Sequence, residues 1–318
     1  MCAGLHSIIK YKGVIHTMVW IITALLAAII SSFVSINDSY LLSKKMPSLP
    51  VYLIPMGFTQ LIGAVVLLAF FPFPTGLGVT HILAALGAGI LNASGLVIML
   101  NTLRRSEVSR VIPVISSAPI FVAILSIPLL GDTLSYWQWL AIILTVAGAV
   151  LISIHKDGSG RKPRLQKSFF ILLTVAVMSA IASIGFKYAM RTLPFWNMYN
   201  INGICIGAVV LTYSLRKTNL LELKNLKQRT QKVGFVAGGQ CLGIIAGIFA
   251  FKALGSGTVA LVNAILNVRP AFVFLFALII SRFFPRVISE PLGKSTVLLK
   301  LAAIIMMTCG VVIIGFSR

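Results

Sequence analysis

Long apolar runs alternate with short polar breaks along the whole chain. An apolar run of about 18 or more residues is long enough to cross the hydrocarbon core of a bilayer as a helix. The pattern therefore predicts an all-α polytopic membrane protein with ten transmembrane helices and no soluble domain. The predicted spans are residues 15–38, 50–71, 80–101, 109–130, 135–154, 168–190, 196–215, 233–254, 258–281 and 297–316.

The second half of the chain repeats the pattern of the first. Residues 107–152 and 258–313 each contain an apolar run with an internal proline, a polar turn and a second apolar run. Within these runs Pro119 aligns with Pro270. The six-residue string Ile-Gly-Ala-Val-Val-Leu also occurs in both the second and the seventh predicted span. A repeat of this length indicates that the whole chain is a duplication.

Each copy of the repeat holds five predicted helices, and the alignment extends to Gly148 and Gly310 in their last helices. Because five is an odd number, the second copy must enter the membrane from the opposite side. The sequence therefore predicts an inverted repeat of two five-helix halves, an architecture found in many secondary transporters. The predicted units are residues 1–155 and 168–318, joined by a basic linker loop at 156–167.

Composition supports this interpretation. The 318 residues are 58% hydrophobic and 10% charged, with a formal net charge of +21, whereas soluble domains carry about 25% charged residues. In a soluble protein such a charge would suggest nucleic-acid binding. Here the basic residues stand in the breaks between apolar runs, which predicts contact with the bilayer surface and no nucleic-acid partner.

The basic residues also predict an orientation. Most of the lysines and arginines fall in the loops that follow the odd-numbered spans. Since positively charged loops remain in the cytoplasm, both termini are expected on the opposite, non-cytoplasmic side.

Enzymatic chemistry has little support in the sequence. The four histidines fall at predicted helix ends or tails, and the six carboxylates are scattered. The four cysteines have no paired spacing that would indicate a disulfide framework or a metal site. The chain also lacks a zinc-protease motif, a phosphate-binding glycine loop and a nucleophile elbow. We therefore expect neither an enzyme nor a cofactor-binding protein.

The fourth and fifth predicted spans carry a recognisable motif. It consists of Pro119, Phe121, Leu129-Leu130-Gly131-Asp132 and Leu134, followed by Gly148 and Leu151. With ten spans and a five-helix duplication, this motif resembles the EamA-type branch of the drug/metabolite transporter superfamily. The resemblance covers nearly the whole chain and implies a transport role. It leaves the substrate open, since that family includes exporters of amino acids and other metabolites and carriers of sugar derivatives.

The chain departs from the family pattern at several points. Asp132 stands where the family often has Glu, and the second copy has Ser281–Pro285 in place of this motif. The lysine that many members carry near the end of the first helix is Ser39 here, although the sixth helix keeps Lys187. Family members are usually drawn with both termini in the cytoplasm, which is the reverse of what the loop charges predict.

Arg269 is the most informative charge because ionisable residues within a span are costly and usually face the bundle interior. It could hold an anionic or carboxylate-bearing substrate, or it could be a structural cation beside freed backbone carbonyls. Asn263, Asn267 and Pro270 share one face of the same predicted helix by their spacing. The two asparagines are therefore further candidates for substrate binding.

Pro119 and Pro270 each remove a backbone donor and leave a carbonyl without its helical partner one turn earlier, at Ile115 and Leu266. The two prolines could act as hinges at the centre of the repeat, or they could produce static kinks. Ser116, Ser117 and Asn267 are close enough in sequence to bond the freed carbonyls.

Four further residues complete the set of candidates. Lys187 could contact substrate or extend its ammonium group to the membrane interface. Asp38 could bind and release a proton during coupling, or it could be an interfacial charge paired with a lysine. Asn92 and Gln240 lie within spans, where they could line a polar path or join helices by hydrogen bonds.

These features predict a secondary transporter that moves a small metabolite, carboxylate-bearing or anionic, by alternating access. The alternatives are a lipid or lipid-linked sugar translocase, or a membrane accessory subunit without transport. The expected location is a cell membrane, with a prokaryotic plasma membrane favoured, and the expected partners are a small-molecule substrate and the bilayer. The sequence leaves open whether the protein is a monomer or a homodimer.

Overall fold

The computed structural model describes residues 2–76, 78–105, 114–153, 167–283 and 294–316. Every regular element in these ranges is helical, which confirms the predicted all-α fold. The helices are α1 (Cys2–Tyr40), α2 (Leu49–Phe70), α3 (Val79–Arg105), α4 (Ala118–Leu130), α5 (Tyr136–Ser153), α6 (Lys167–Ala189), α7 (Phe195–Ser214), α8 (Lys217–Lys224), α9 (Arg229–Ser256), α10 (Val259–Leu266), α11 (Arg269–Phe283) and α12 (Lys294–Phe316).

Helix length and apolarity confirm a multi-pass membrane protein. Seven helical spans among the described residues are long and apolar enough to cross a membrane, and an eighth qualifies if the bent pair α7 and α8 counts as one span. Two further apolar helices, α4 and α5, are shorter than this criterion requires. Each of the ten predicted spans overlaps at least one of the helices α1 to α12.

The structure differs most clearly from the predicted bounds at two places. α1 begins near the N-terminus and continues into a π-helical turn at Leu41–Lys45, so it is longer than predicted. The predicted span 258–281 is two helices, α10 and α11, because the chain turns at Asn267 and Val268. The start of the predicted fourth span, residues 109–113, lies outside the described residues.

Helices of the two halves pack on one another in a reciprocal pattern. α1 of the first half packs on α9, and α6, the counterpart of α1, packs on α3, the counterpart of α9. The counterparts α2 and α7 form a pair, and so do α5 and α12. Exchanging the two halves therefore reproduces the same set of principal helix pairs.

The crossing of α5 and α12 shows this reciprocity at the level of atoms. A Cβ placed on Gly148 would lie 2.8 Å from the carbonyl oxygen of Ala303, and one placed on Gly310 would lie 2.9 Å from that of Ala141. These residues are aligned with each other in the sequence repeat. Glycine is needed at both positions because the two backbones approach more closely than a side chain allows.

Candidate functional site

The helix break between α10 and α11 is the centre of the candidate site. Pro270 is the second residue of α11, where a missing backbone donor costs little because the first turn of a helix has no intrahelical acceptor for it. Pro119 occupies the same place in α4. Both prolines therefore begin a half-helix instead of bending a continuous one, so the predicted interior kinks are wrong in their geometry.

The same turn precedes both half-helices. In the first copy Ser117 N donates to Val114 O over 3.2 Å, and in the second copy Val268 N donates to Ile265 O over 3.0 Å. The next bond is also repeated, from Ile120 N to Ser117 O and from Ala271 N to Val268 O. All four pairs follow the alignment of Pro119 with Pro270, so the two copies share this local backbone structure.

The two breaks are joined directly. Asn267 Nδ2 donates a hydrogen bond of 2.8 Å to Ser116 O, and these two residues occupy equivalent positions in the repeat. Ser117 Oγ donates to Val114 O over 2.6 Å. Side chains at the breaks thus bond backbone carbonyls, as the membrane interior requires of polar groups. The carbonyls bonded are those of Val114 and Ser116 instead of the predicted Ile115 and Leu266.

Arg269 is the first residue of α11, roughly midway along its span. Protein surrounds its guanidinium, which lies close enough to Asp38 of α1 for an electrostatic interaction. The residue is nevertheless exposed to solvent. The backbone at this point is fixed to α1, since Ser32 Oγ donates to Arg269 O over 3.2 Å.

A chain of polar side chains leads away from Asp38. Its carboxylate lies close enough to the Tyr52 hydroxyl of α2 for an electrostatic interaction. Gln240 Nε2 of α9 donates to Tyr52 Oη over 3.2 Å, and Gln60 Nε2 donates to Gln240 Oε1 over 3.3 Å. Tyr52, Gln60 and Gln240 are all buried. Asp38 Oδ1 is buried as well and has no hydrogen-bond partner among the described residues.

This arrangement holds one cation and one carboxylate near each other without a direct ion pair. Among the residues that the structure describes, no carboxylate oxygen lies within 4.0 Å of the Arg269 guanidinium nitrogens, the limit for a salt bridge. Within the same residues, no group of three His, Cys, Asp or Glu side chains could hold a metal ion. The arrangement places the Arg269 guanidinium near the carboxylate of Asp38, which in turn lies near the Tyr52 hydroxyl.

The comparisons with known proteins agree with this architecture. Residues 18–154 match the EamA-like transporter family. We call this matched stretch the EamA unit. This assignment supports a membrane transporter and confirms the predicted resemblance. A comparison with curated proteins gives no match.

The fold is shared beyond the EamA unit. One solved structure, described as "Crystal structure of protein", superposes with a TM-score of 0.63 and 17% sequence identity. The superposition covers 92% of this chain and 95% of that chain. At this identity the likeness shows that the two chains have the same fold over both halves.

Lys187 of α6 has a well-defined environment outside the EamA unit. Its Nζ donates to Leu254 O at 2.8 Å, to Gly255 O at 3.0 Å and to Gly257 O at 2.9 Å. These carbonyls belong to the C-terminal end of α9 and the residue that follows it. A cation there satisfies free carbonyls and complements the negative end of the helix dipole.

The remaining predicted residues lie in two other places. Asn92 Nδ2 of α3 donates to Asn202 Oδ1 of α7 over 3.0 Å, so this pair joins two helices. Asn263 Nδ2 donates to Val259 O of its own helix over 2.9 Å, and its Oδ1 accepts from Ser183 Oγ over 3.3 Å. The structure therefore brings Arg269, Asp38 and Gln240 into one region, whereas Asn92 and Lys187 have separate partners.

Sequence reasoning missed Tyr52 and Ser32. Both lie in apolar segments and carry no charge, so neither breaks the hydrophobic pattern. Tyr52 is 1% exposed, and a tyrosine buried this deeply needs a partner for its hydroxyl. That requirement was a usable signal for Tyr52, although it could not have identified Asp38 as the partner.

Proposed function

We propose that the protein is a secondary transporter that moves a small metabolite, carboxylate-bearing or otherwise anionic, by alternating access. It transports its substrate unchanged. Its ten spans form two inverted five-helix halves, residues 1–155 and 168–318, which rock about a central cavity. Three observations support this arrangement: the reciprocal helix pairs, the repeated turns before α4 and α11, and the bond between Asn267 and Ser116.

The observation that carries the proposal is Arg269 itself, an exposed residue at mid-span whose guanidinium lies near the Asp38 carboxylate. Placing an arginine at the centre of a span costs about 2.5–3.5 kcal/mol on insertion scales. Its position at the N-terminal end of α11 adds an unfavourable interaction with the helix dipole. These two unfavourable free-energy terms suggest that Arg269 has a binding role. Its guanidinium suits a planar anion such as a carboxylate, which it can bind through two parallel hydrogen bonds.

The other candidates take supporting roles in this proposal. Pro119 and Pro270 start the half-helices that meet at the centre, so the breaks that they follow act as hinges. Asn267 and Asn263 lie on α10 and its C-terminal turn, next to the cavity, and Gln240 belongs to the polar chain at Asp38. Asn92 stabilises the wall formed by α3 and α7. Lys187 can contact the substrate only in a conformation in which its hydrogen bonds to the C-terminal end of α9 are broken.

Asp38 couples substrate binding to a proton in this scheme. The Asp38 carboxylate and the substrate carboxylate compete for one guanidinium. Protonation of Asp38 removes the competitor, so the proton and the substrate anion favour each other's binding. Because the two sites are linked, the anion must raise the affinity for the proton by the same factor as the proton raises the affinity for the anion. The expected process is therefore co-transport of the anion with a proton.

Three elements present the groups that surround Asp38. Tyr52 of α2 places its hydroxyl nearby, Arg269 of α11 supplies the positive charge, and α9 contributes the neutral Gln240. When the carboxyl is protonated, Arg269 is left available for the substrate anion. As the pH rises the carboxylate forms, so substrate affinity is expected to fall.

The test is a ligand-stabilisation screen of the full chain in detergent. Amino acids, organic anions, sugar phosphates and nucleotide sugars are added to wild type, Arg269→Gln and Asp38→Asn at several pH values. A ligand at a hundredfold excess over its Kd stabilises the native state by about 2.7 kcal/mol. Lys252→Gln is the matched control, because Lys252 is an exposed basic residue elsewhere on α9.

The expected result is an anion that stabilises wild type and Lys252→Gln but not Arg269→Gln. In Asp38→Asn the anion should bind at least as tightly, and without the pH dependence of wild type. A folded Arg269→Gln variant that binds the same anion normally would refute the site. Binding by Asp38→Asn that still weakens with rising pH would refute the coupling role alone.

The basic loops set the proposed orientation. Arg104, Arg216, Lys217, Lys224 and Arg229 lie at one end of the bundle, where α3, α7 and α8 end and α9 begins. We place this end in the cytoplasm of a prokaryotic cell, with the termini outside. Reaction of single cysteines at the loop between α8 and α9 with an impermeant reagent, before and after lysis, tests this topology.

A further inference from the structure

A groove runs along the outer seam between α1 and α9. Its volume is about 470 Å³. It faces the surroundings of the bundle, since Phe33 is 45% and Phe235 is 56% exposed. The groove is lined by Phe33, Val34, Asn37, Gln231, Gly234, Phe235, Gly238, Gly239 and Leu242.

The glycines of α9 create the space. A Cβ placed on Gly234 or on Gly238 would meet no atom within 4 Å, so two adjacent turns of the helix leave a continuous open wall. At Gly239 the space is instead filled by the side chain of Asn37, which donates to Phe235 O over 3.3 Å. Asn37 therefore closes the floor of the groove towards Asp38 and Gln240. An occupant must enter from the bilayer.

Positive charge surrounds the cytoplasmic mouth of this groove. Lys227 and Arg229 come shortly before Gln231, the first groove-lining residue of α9, and Lys232 comes directly after it. On the α1 side the chain continues to Lys44 and Lys45. The carboxylate in this stretch, Glu222, accepts a hydrogen bond from Ser48 Oγ over 2.8 Å. The mouth is therefore strongly cationic.

The short helix α8 fits a position at the membrane surface. It is bent by 93° from α7, so it lies roughly in the plane of the bilayer when α7 crosses it. Leu220 is 43% and Leu221 is 58% exposed, and Lys217 and Lys224 are exposed beside them. A basic amphipathic helix in this position is typical of contact with anionic headgroups.

We propose that the groove between α1 and α9 binds an anionic phospholipid of the inner leaflet. One acyl chain lies along Phe33, Gly234, Gly238 and Leu242, and the phosphate group meets Lys227, Arg229 and Lys232. The apolar lining favours a chain, and the cationic mouth favours an anionic head over a zwitterionic one. This site is distinct from the substrate site, because Asn37 separates the two.

The test adds lipids to the delipidated full chain. It measures which lipids bind and how much each raises the stability of the protein. Phosphatidylglycerol, phosphatidylcholine with the same chains, and soluble glycerol 3-phosphate are compared by native mass spectrometry and by thermal unfolding. Gly238→Leu fills the groove without a clash. Gly87→Leu is its matched control, because a Cβ at Gly87 also meets nothing within 4 Å on another helix. Lys232→Gln and Arg229→Gln test the headgroup, with Lys252→Gln as their control.

Phosphatidylglycerol is expected to bind and raise the unfolding temperature, whereas phosphatidylcholine binds more weakly and glycerol 3-phosphate has no effect. Gly238→Leu should lose this binding and Gly87→Leu should keep it. Each removed mouth charge should weaken binding about fivefold. Equal binding of the two lipids, stabilisation by glycerol 3-phosphate alone, or normal binding by a folded Gly238→Leu variant would each overturn the proposal.

Discussion

The crossing of α5 and α12 provides the most direct test of the repeat in the folded protein. Replacing Gly148 or Gly310 by alanine adds a single Cβ to each side of the crossing. The added atom would lie 2.8 Å from Ala303 O in the first case and 2.9 Å from Ala141 O in the second. Because both obstacles are backbone atoms, no side-chain rotation can relieve them.

The expected magnitude follows from these distances. Ordinary contact begins near 3.4 Å, so the helices must separate by 3.4 − 2.8 = 0.6 Å or 3.4 − 2.9 = 0.5 Å. Overpacking of this kind costs about 1–3 kcal/mol, whereas alanine gains about 0.5–1 kcal/mol over glycine within a helix. Each variant should therefore lose about 1–2 kcal/mol of unfolding free energy.

Equilibrium unfolding in mixed micelles of a mild detergent and dodecyl sulfate measures this free energy. Gly87→Ala is the matched control, since its Cβ meets nothing within 4 Å and the variant should be slightly more stable than wild type. Similar losses at Gly148 and Gly310 would support reciprocal packing. If either variant were as stable as Gly87→Ala, the close approach of α5 and α12 would be refuted.

Two further perturbations address the helix ends. Lys187→Met should lower the unfolding free energy by about 2–3 kcal/mol, because three carbonyls at the end of α9 lose a charged donor; Lys252→Met, at an exposed position, should have little effect in the same unfolding assay. Asn267→Leu should cost about 1–2 kcal/mol, because Ser116 O is left unpaired in the membrane interior; an unchanged free energy would show that this bond does not hold the two breaks together.

The helices and their duplication could be predicted because both depend on local pattern. Apolar length fixes which segments cross the membrane, and the alignment of Pro119 with Pro270 located both half-helices. The break itself was interpreted as a kink because proline in a long apolar run is normally read as interior to a helix. The start of a new helix at Arg269 depends on the turn at Asn267 and Val268, whose hydrogen bonds are formed only in three dimensions.

The site was predicted only in part, for a physical reason. Arg269 and Asp38 could be identified because a charge within an apolar run carries a free-energy penalty that needs an explanation. Their proximity could not be predicted, since it depends on the packing of α1 against α11 across the two halves. Tyr52 and Gln240 complete the hydrogen-bond chain, and neither has a spacing that relates it to Asp38.

The repeat is symmetric in its backbone but not in its charges. By the alignment of the two halves, the counterpart of Arg269 is Ala118 and the counterpart of Asp38 is Phe186. Phe186 is buried and packs against Phe251, with the ring centroids 4.9 Å apart. At these equivalent positions one half therefore has a carboxylate and the other has a pair of packed aromatic rings. Since the Asp38 carboxylate can bind a proton and the rings cannot, we expect the pH dependence of substrate binding to be lost in Asp38→Asn and kept when Phe186 is replaced by leucine.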